Sequence, residues 1–175
     1  PLAVFTHARA LAARLRESLP RAVATLVTLG LAGHKAKGLP ARYGQAFQFG
    51  PATVTIYPAG AAPGSCMVLV TDDRTGERTL IAGPVNTHGM HVAQPPQPVP
   101  CDTLVLCAPE ALGVTAAAID TPFPPRRTLQ ADLLALCARS LTRMTTPEIY
   151  ADVFGTALET AYLMQHAGIG WFAHP

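Results

Sequence analysis

The chain has 175 residues, of which 49% are hydrophobic and 14% charged, and its formal net charge is +2. This length suits one domain with a sizeable core, and the apolar content excludes a simple disordered chain. So small a charge does not by itself hold a nucleic-acid backbone, which requires a clustered basic face. Because soluble proteins usually carry about a quarter charged residues, we expect part of the apolar surface to meet a partner.

The cysteines and the apolar stretches exclude several further classes. The four cysteines are scattered without a CxxC pair, so they predict buried thiols and neither a zinc knuckle nor a disulfide framework: Cys66, Cys101, Cys107 and Cys137. Gly, Pro or charge interrupts each apolar stretch well before about 20 residues, so no transmembrane helix and no membrane partner is expected.

The N-terminal stretch raises the question of targeting. Residues 1–29 are rich in Ala, Leu and Arg, as in an organelle-targeting helix, but Glu17 and two prolines favour a folded helix. No secretory segment is recognised. We therefore predict an intracellular protein that is not secreted, with the cytoplasmic, nuclear and organellar compartments left open.

In chain order, the first half predicts a strand, a helix and then a series of strands. The helix follows from Leu11, Leu15 and Leu19, with Thr6 as its N-cap and Pro20 as its stop. The remaining predictions are a strand at 2–5, a β-branched apolar run at 22–29, a loop at 30–44, strands at 52–57, 66–71 and 78–82, and a hairpin turn at 72–76.

The second half predicts two proline-rich passages, one strand and two helices. Residues 84–100 contain five prolines and should run over the surface. Residues 102–107 form an apolar run typical of a strand buried on both faces. After a second proline-rich passage at 121–125, a helix places four leucines on one side: Leu129, Leu133, Leu136 and Leu141. A further helix is predicted at 155–166, and a strand or docking segment at 169–172.

One strand–loop–strand passage carries the functional interpretation. The strand Ala52–Tyr57 leads into Pro58-Ala59-Gly60-Ala61-Ala62-Pro63-Gly64-Ser65, and the next strand opens at Cys66. This arrangement resembles the metallo-β-lactamase-fold nucleases of the β-CASP group, such as DNA ligase-associated exonucleases, cross-link repair nucleases and mRNA 3′-end cleavage factors. In that family the loop carries a metal-binding His before a Gly-Ser pair. The next strand ends in Gly-Asp, and that Asp bridges two metals.

The resemblance implies a retained frame without its metal ligands. Gly64-Ser65 matches the small pair, residues 80–83 match the strand before the bridging Asp, and residues 101–106 match a later Cys-Asp-Thr strand. However, Ala61 stands where the family has its loop His, and Pro84 stands where it has the bridging Asp. Neither a methyl group nor a proline ring coordinates zinc.

The first metal motif of the family, HxHxDH, allows two alignments. One places it at His7-Ala8-Arg9-Ala10-Leu11-Ala12, where only the first His matches. The other places residues 2–19 after the motif, which is then absent. A last partial match lies at residues 152–163, which resemble the strand-to-helix passage that opens the β-CASP insert, with Thr156 and Leu158 departing from the usual Arg and Gln.

Other polar residues are secondary candidates. His88 and His91, three residues apart, have a spacing that permits coordination in a helical turn, although solvated loop histidines are the favoured interpretation. His34, Lys35 and Lys37 form a basic spot that suits phosphate contact, although an ordinary exposed loop is the more common meaning. For Ser65 we favour a packing role over nucleophilic chemistry. Asp72 and Asp73 are interpreted as the polar tip of a hairpin and not as a cation site. Tyr162 is assigned to core packing, and the role of Trp171 is left open.

Together these patterns predict an α/β protein with a partial metallo-β-lactamase-like αββα sandwich, a mixed sheet and flanking helices. Residues 1–120 are expected to form the degenerate core, and residues 121–175 a proline-rich connection and helical segment packed on the same core. No catalytic, cofactor or metal residue is assigned, and no cofactor is expected.

The favoured function is a non-enzymatic structural or interaction subunit, in a nucleic-acid-processing or ribonucleoprotein assembly. Its partners would be proteins that cover exposed apolar or sheet-edge surface, with room for nucleic acid in a larger complex. The alternatives are a metal-dependent hydrolase or nuclease completed by a partner, an unrelated α/β enzyme, and a small nucleic-acid-binding module.

Overall fold

The structure is a computed structural model that describes residues 2–14, 21–33, 38–106 and 124–173. The chain divides into two compact units, Pro1–Ala108 and Pro109–Pro175. The predicted boundary at residue 120 lies outside the described residues and stays a prediction.

The first unit begins with a parallel three-stranded sheet. Its strands lie in the order β1 (Leu2–Val4), β2 (Arg21–Thr25) and β3 (Gly38–Ala41). Helices α1 (Ala8–Arg14) and α2 (Leu26–Leu31) come between consecutive strands in the chain, as parallel connections require. The side-chain oxygen of Thr25 accepts a hydrogen bond from the Thr28 N–H at 3.1 Å, so Thr25 is the N-cap of α2.

The second sheet of this unit has five strands, and its order follows the sequence. They are β4 (Ala46–Phe49), β5 (Ala52–Pro58), β6 (Cys66–Asp72), β7 (Arg78–Ala82) and β8 (Thr103–Leu106). Neighbours from β4 to β7 are antiparallel, whereas β7 and β8 are parallel. The turn that joins β6 to β7 is closed by the Asp72 carboxylate, which accepts hydrogen bonds from the Arg74 and Thr75 N–H groups.

Three apolar clusters show how the layers of the first unit pack. The cluster between the two sheets consists of Val23, Ala41, Val54, Ile56, Cys66 and Val68. A second cluster joins the first sheet to its helices and consists of Phe5, Leu11, Ala22, Ala24 and Leu29. The third, on the other face of the second sheet, consists of Ala59, Met67, Leu69, Leu80 and Ala82, with Tyr57, Val99 and Cys101 packed against it. The first unit is therefore layered as helices, sheet, sheet and a proline-rich covering segment.

The described part of the second unit contains two helices, α3 (Arg126–Thr142) and α4 (Thr156–His166). The buried carboxylate of Glu159 joins them, because it accepts hydrogen bonds from the Arg126 guanidinium at 3.0 Å and from the Gln130 amide at 3.3 Å. A buried carboxylate needs such partners to offset its desolvation. No helix in the described ranges is long and apolar enough to cross a membrane.

The fold class is confirmed as mixed α/β, with two sheets and four helices in the described ranges. The strands predicted at 2–5, 52–57, 66–71 and 78–82 and both C-terminal helices are present. The run predicted as apolar and β-branched at 22–29 divides into the end of β2 and the start of α2, because Thr25 caps a helix there. The loop predicted at 30–44 contains β3.

One burial prediction is wrong. The strand at 102–107 was expected to be buried on both faces, yet Leu104 is 52% exposed, Val105 48% and Leu106 62%. The reason is position: β8 is the last strand in the order and pairs with β7 alone among the described strands. In α3, Leu129, Leu136 and Leu141 on the predicted leucine side are exposed, and Cys137 is the buried residue. Residues 169–172 form neither a helix nor a strand.

Candidate functional site

The ends of three chain segments converge at one edge of the first unit. An isolated antiparallel bridge pairs Gly60 with Val85, which brings Ala61 and Pro84, the next residues in each direction, side by side. The Thr6 side chain, just after β1, lies against Gly83, so closely that a Cβ added there would stand 2.7 Å from Thr6 Oγ1. The two positions where the sequence predicted lost metal ligands are therefore neighbours, and His7 follows directly on the Thr6 contact.

The loop from Pro58 to Ser65, the 58–65 loop, is closed by its own last residue. The Ser65 side chain is 2% exposed, and its Oγ accepts hydrogen bonds from the N–H groups of Ala61 at 3.2 Å and Ala62 at 3.1 Å. The Ala59 N–H donates to the Ser65 carbonyl at 3.1 Å, and the Ser65 N–H donates to the Ala62 carbonyl at 3.0 Å. Ser65 thus fixes the loop from inside, which agrees with the packing interpretation of this residue.

Residues of the first sheet and its connections hold the same loop from the other side. The Gly64 carbonyl accepts hydrogen bonds from the hydroxyls of Thr25 at 2.8 Å and Thr28 at 2.9 Å. The Tyr43 hydroxyl donates to the Ser65 carbonyl at 2.9 Å. Burial, with a smaller contribution from the charge of nearby Cys66, raises the pKa of Tyr43 from 10.0 to about 12. Tyr43 therefore remains a hydrogen-bond donor throughout the physiological range.

Two glycines of the 58–65 loop allow its backbone to lie close against neighbouring segments, because glycine has no side chain. Gly60 and Gly64 have φ values of 75° and 76°, a left-handed region that side chains rarely adopt. A Cβ on Gly60 would stand 2.6 Å from the Asn86 carbonyl oxygen and 2.7 Å from the Pro96 ring, and a Cβ on Gly64 would stand 2.7 Å from Thr25 Oγ1. At both glycines the loop is therefore in close contact with neighbouring segments of the first unit.

The donor chemistry at this edge does not fit a metal centre. Ala61 and Pro84 offer no ligand atom. The His7 ring lies 3.0 Å from Thr6 Oγ1 through its Nδ1 atom, and the Cys66 thiol donates to the Phe5 carbonyl at 3.6 Å. Burial raises the pKa of the Cys66 thiol from 9.0 to about 12. Within the described ranges, no three His, Cys, Asp or Glu residues are grouped to hold an ion.

The secondary candidates His88 and His91 lie in the connection between β7 and β8. His88 is exposed, and its backbone N–H donates to Asn86 Oδ1 at 2.9 Å. His91 is exposed in the short turn closed by the bridge between Met90 and Ala93. The predicted basic spot of His34, Lys35 and Lys37 lies outside the described residues and stays a prediction.

The polar residues that hold the loop were missed at the sequence level. Thr25, Thr28 and Tyr43 precede their hydrogen-bond partners Gly64 and Ser65 by 22 to 39 residues along the chain, and hydroxyl residues at such distances carry no local pattern. The one available indication was the Thr25-x-x-Thr28 spacing, which suits an N-cap. That spacing predicts a helix start but not the contact with Gly64.

Comparison with known proteins finds similar solved structures but no matching family. No protein-family model and no curated protein matches the sequence. A solved Cronobacter sakazakii structure described as a metallo-β-lactamase with a HARLDQ motif is similar over 50% of this chain and 40% of its own, with 21% identity and a TM-score of 0.37. Its S60 mutant aligns over 95% of this chain and 70% of its own, with 17% identity and a TM-score of 0.44. The chain thus spans less than half of the first structure, and this likeness assigns no residue role and no β-CASP membership.

The glycine contacts generate a matched stability prediction. Gly64→Ala and Gly76→Ala place a side chain at nearly the same φ, 76° and 75°, but only Gly64 has atoms within 4 Å of the new methyl. Both variants should lose about 1–2 kcal/mol from the left-handed backbone, and Gly64→Ala a further ~1–3 kcal/mol from overpacking. Urea unfolding followed by far-UV circular dichroism measures both. Equal losses would show that the Thr25 and Thr28 contacts do not constrain the loop.

The raised pKa of Cys66 generates a pH prediction. The unfolded chain ionises this thiol near pH 9, whereas the folded chain keeps it protonated until about pH 12. Because the folded state then binds more protons, the free energy of unfolding should fall as the pH rises between these values. Cys66→Ala should reduce that slope, measured by urea unfolding at a series of pH values. Val68→Ala trims the same core without a titrating group, so it should lower stability and keep the slope; a wild-type slope in Cys66→Ala contradicts the assignment.

Proposed function

We propose that the chain is a catalytically inactive relative of the metallo-β-lactamase-fold nucleases of the β-CASP group, acting as a structural or interaction subunit in a nucleic-acid-processing or ribonucleoprotein assembly. One observation carries the proposal. The 58–65 loop, where the resemblance requires a metal-binding His, is closed by Ser65 and packed against Pro96 and Asn86. A loop held in this way has a folding role that requires no metal.

The chemistry of the neighbouring positions supports the loss of hydrolysis. Hydrolysis by this fold depends on a metal that lowers the pKa of a bound water, and a metal of that kind needs imidazole, carboxylate or thiolate ligands. Ala61 and Pro84 lie side by side and supply none. Restoring one ligand position would leave its neighbour without a donor.

Residues 7–12, where the first metal motif was sought, also support the proposed loss of metal binding. The motif named for the Cronobacter structures begins His-Ala-Arg, and His7-Ala8-Arg9 follow β1 here. Where that motif continues Leu-Asp-Gln, this chain has Ala10-Leu11-Ala12, and Leu11 is 1% exposed within the cluster between the first sheet and its helices. The position that carries a carboxylate in the named motif thus serves the core in this chain.

Strand β8 supports an interaction role. Its residues carry no charge, and Leu104, Val105 and Leu106 are each about half exposed or more. On the neighbouring strand Ile81, registered with Val105, is 40% exposed. Natural edge strands usually carry charges, prolines or bulges that prevent pairing with other chains. An apolar edge of this kind suits a protein partner that covers it.

The metal content and hydrolytic activity of the purified chain test the loss of catalysis. We expect less than about 0.1 equivalent of zinc or manganese after dialysis, and no hydrolysis of single-stranded DNA, RNA or a β-lactam above a heat-denatured control, because the ligand positions are empty of donors. Stoichiometric metal that is lost in His88→Ala or His91→Ala would overturn the proposal in favour of a hydrolase. Salt-dependent binding of nucleic acid without cleavage would favour the binding-module alternative.

A charge placed on β8 tests the interaction role. Val105→Lys should weaken capture of the native partner at least tenfold, because a buried unpaired lysine opposes pairing at the edge. Leu26→Lys is the matched control, since Leu26 is 71% exposed on α2 in the same unit, and it should capture the partner as the wild type does. Affinity capture from native extract with quantitative mass spectrometry gives the comparison. Equal capture by wild type and Val105→Lys would remove β8 from the interface.

A further inference from the structure

The segment from Gln94 to Pro100, called here the proline segment, has a surface that the proposed function does not use. Its sequence is Gln-Pro-Pro-Gln-Pro-Val-Pro, and it carries no charged side chain. It lies between the last turn of the β7–β8 connection and Cys101, outside any helix or strand.

The sequence restricts the backbone of this segment strongly. Each proline ring fixes φ near −65°, and a residue that precedes proline avoids the helical region. Pro95 is subject to both restrictions, while Gln94, Gln97 and Val99 each precede a proline. These restrictions together favour a polyproline II helix, which has three residues per turn and no internal hydrogen bonds. The Gln97 N–H accordingly donates outside the segment, to the Pro58 carbonyl at 3.4 Å.

The exposure pattern has the period of that helix. Pro96 and Val99, three residues apart, are partly buried, whereas the other five residues of the segment are exposed. The Pro96 ring packs at Gly60, and Val99 packs against the apolar cluster on the outer face of the second sheet. One ridge of the segment is therefore anchored to the first unit, and Pro95 and Pro98 share a ridge that faces outward. At about 3.1 Å per residue, these two prolines are about 9 Å apart.

We propose that the ridge of Pro95 and Pro98 is a docking site for a protein domain that binds polyproline II helices in a groove lined by aromatic side chains. Such grooves take prolines at this spacing and gain affinity because the ligand is already ordered, so little entropy is lost on binding. Anchoring through Pro96 and Val99 orders the segment further. Because the segment is uncharged, the groove that fits it is of the WW type, which contacts proline rings, and not one that requires an arginine beside them.

This inference is independent of the proposed function, since it concerns the outer surface of a connection and holds whether or not the chain hydrolyses a substrate. The hydrolysis and metal measurements therefore leave it unchanged. Conversely, failure of the docking site leaves the interpretation of the 58–65 loop intact.

Titration of a ¹⁵N-labelled WW domain with the whole chain tests the docking site. Saturable chemical-shift changes should map to the Tyr and Trp residues of the WW groove. The variant Pro95→Ala/Pro98→Ala should weaken binding at least tenfold, and each single variant about threefold or more. Pro51→Ala, at an exposed proline of the β4–β5 turn, is the matched control and should bind within twofold of the wild type. Far-UV circular dichroism checks that each variant is folded, and the single variants decide the matter if the double variant is not.

Three results would overturn the proposal. These are no saturable shifts at millimolar chain, shifts that do not involve the aromatic groove, or unchanged affinity in the folded Pro95 and Pro98 variants. An SH3 domain titrated in parallel should bind more weakly than the WW domain, since the segment lacks the basic residue that an acidic SH3 pocket accepts. Tighter binding to SH3 would overturn the assignment of an uncharged groove.

Discussion

The Gly64 carbonyl oxygen joins the two sheets of the first unit. It accepts hydrogen bonds from two hydroxyls, Thr25 and Thr28, which belong to the end of the first sheet and the start of α2. Through this oxygen the loop of the second sheet is tied to the first sheet, and the same Thr25 hydroxyl caps the helix. Loss of the Thr25 hydroxyl would leave the start of α2 without its cap and the Gly64 carbonyl with Thr28 alone, whereas loss of the Thr28 hydroxyl would leave the cap in place.

The proposed function depends on the residues beside the Gly64 carbonyl. Ala61 and Pro84, which carry no ligand atom, adjoin the bridge between Gly60 and Val85. Ser65 binds the backbone N–H groups of the loop, and Asn86 and Pro96 lie close against Gly60, so the loop conformation is fixed by contacts within the protein.

Local patterns predicted the second sheet better than the first. Strands β5, β6 and β7 alternate or lie beside a clear turn, and their bounds were predicted within one or two residues. Strands β3 and β4 have only four residues each, with a proline inside β3, and such short strands carry little periodicity. Ala61 and Pro84 were named from the resemblance as positions without a ligand, and the bridge between Gly60 and Val85 makes them neighbours. The ties from Thr25, Thr28 and Tyr43 depend on tertiary contacts that no local pattern encodes.

The long separation of Gly64 from its two threonines has a consequence for the order of folding. The hydrogen bonds span 36 and 39 residues, whereas β4 to β7 pair with their immediate successors in the chain. Contacts between distant residues require closure of a long loop and form late, while consecutive hairpins form early. The antiparallel strands are therefore expected to assemble first, and the parallel strands to join when the threonines reach the glycine. Until that moment the newly made sheet presents Val54, Ile56 and Val68 to solvent, so the chain is most prone to aggregation before its N-terminal third has docked.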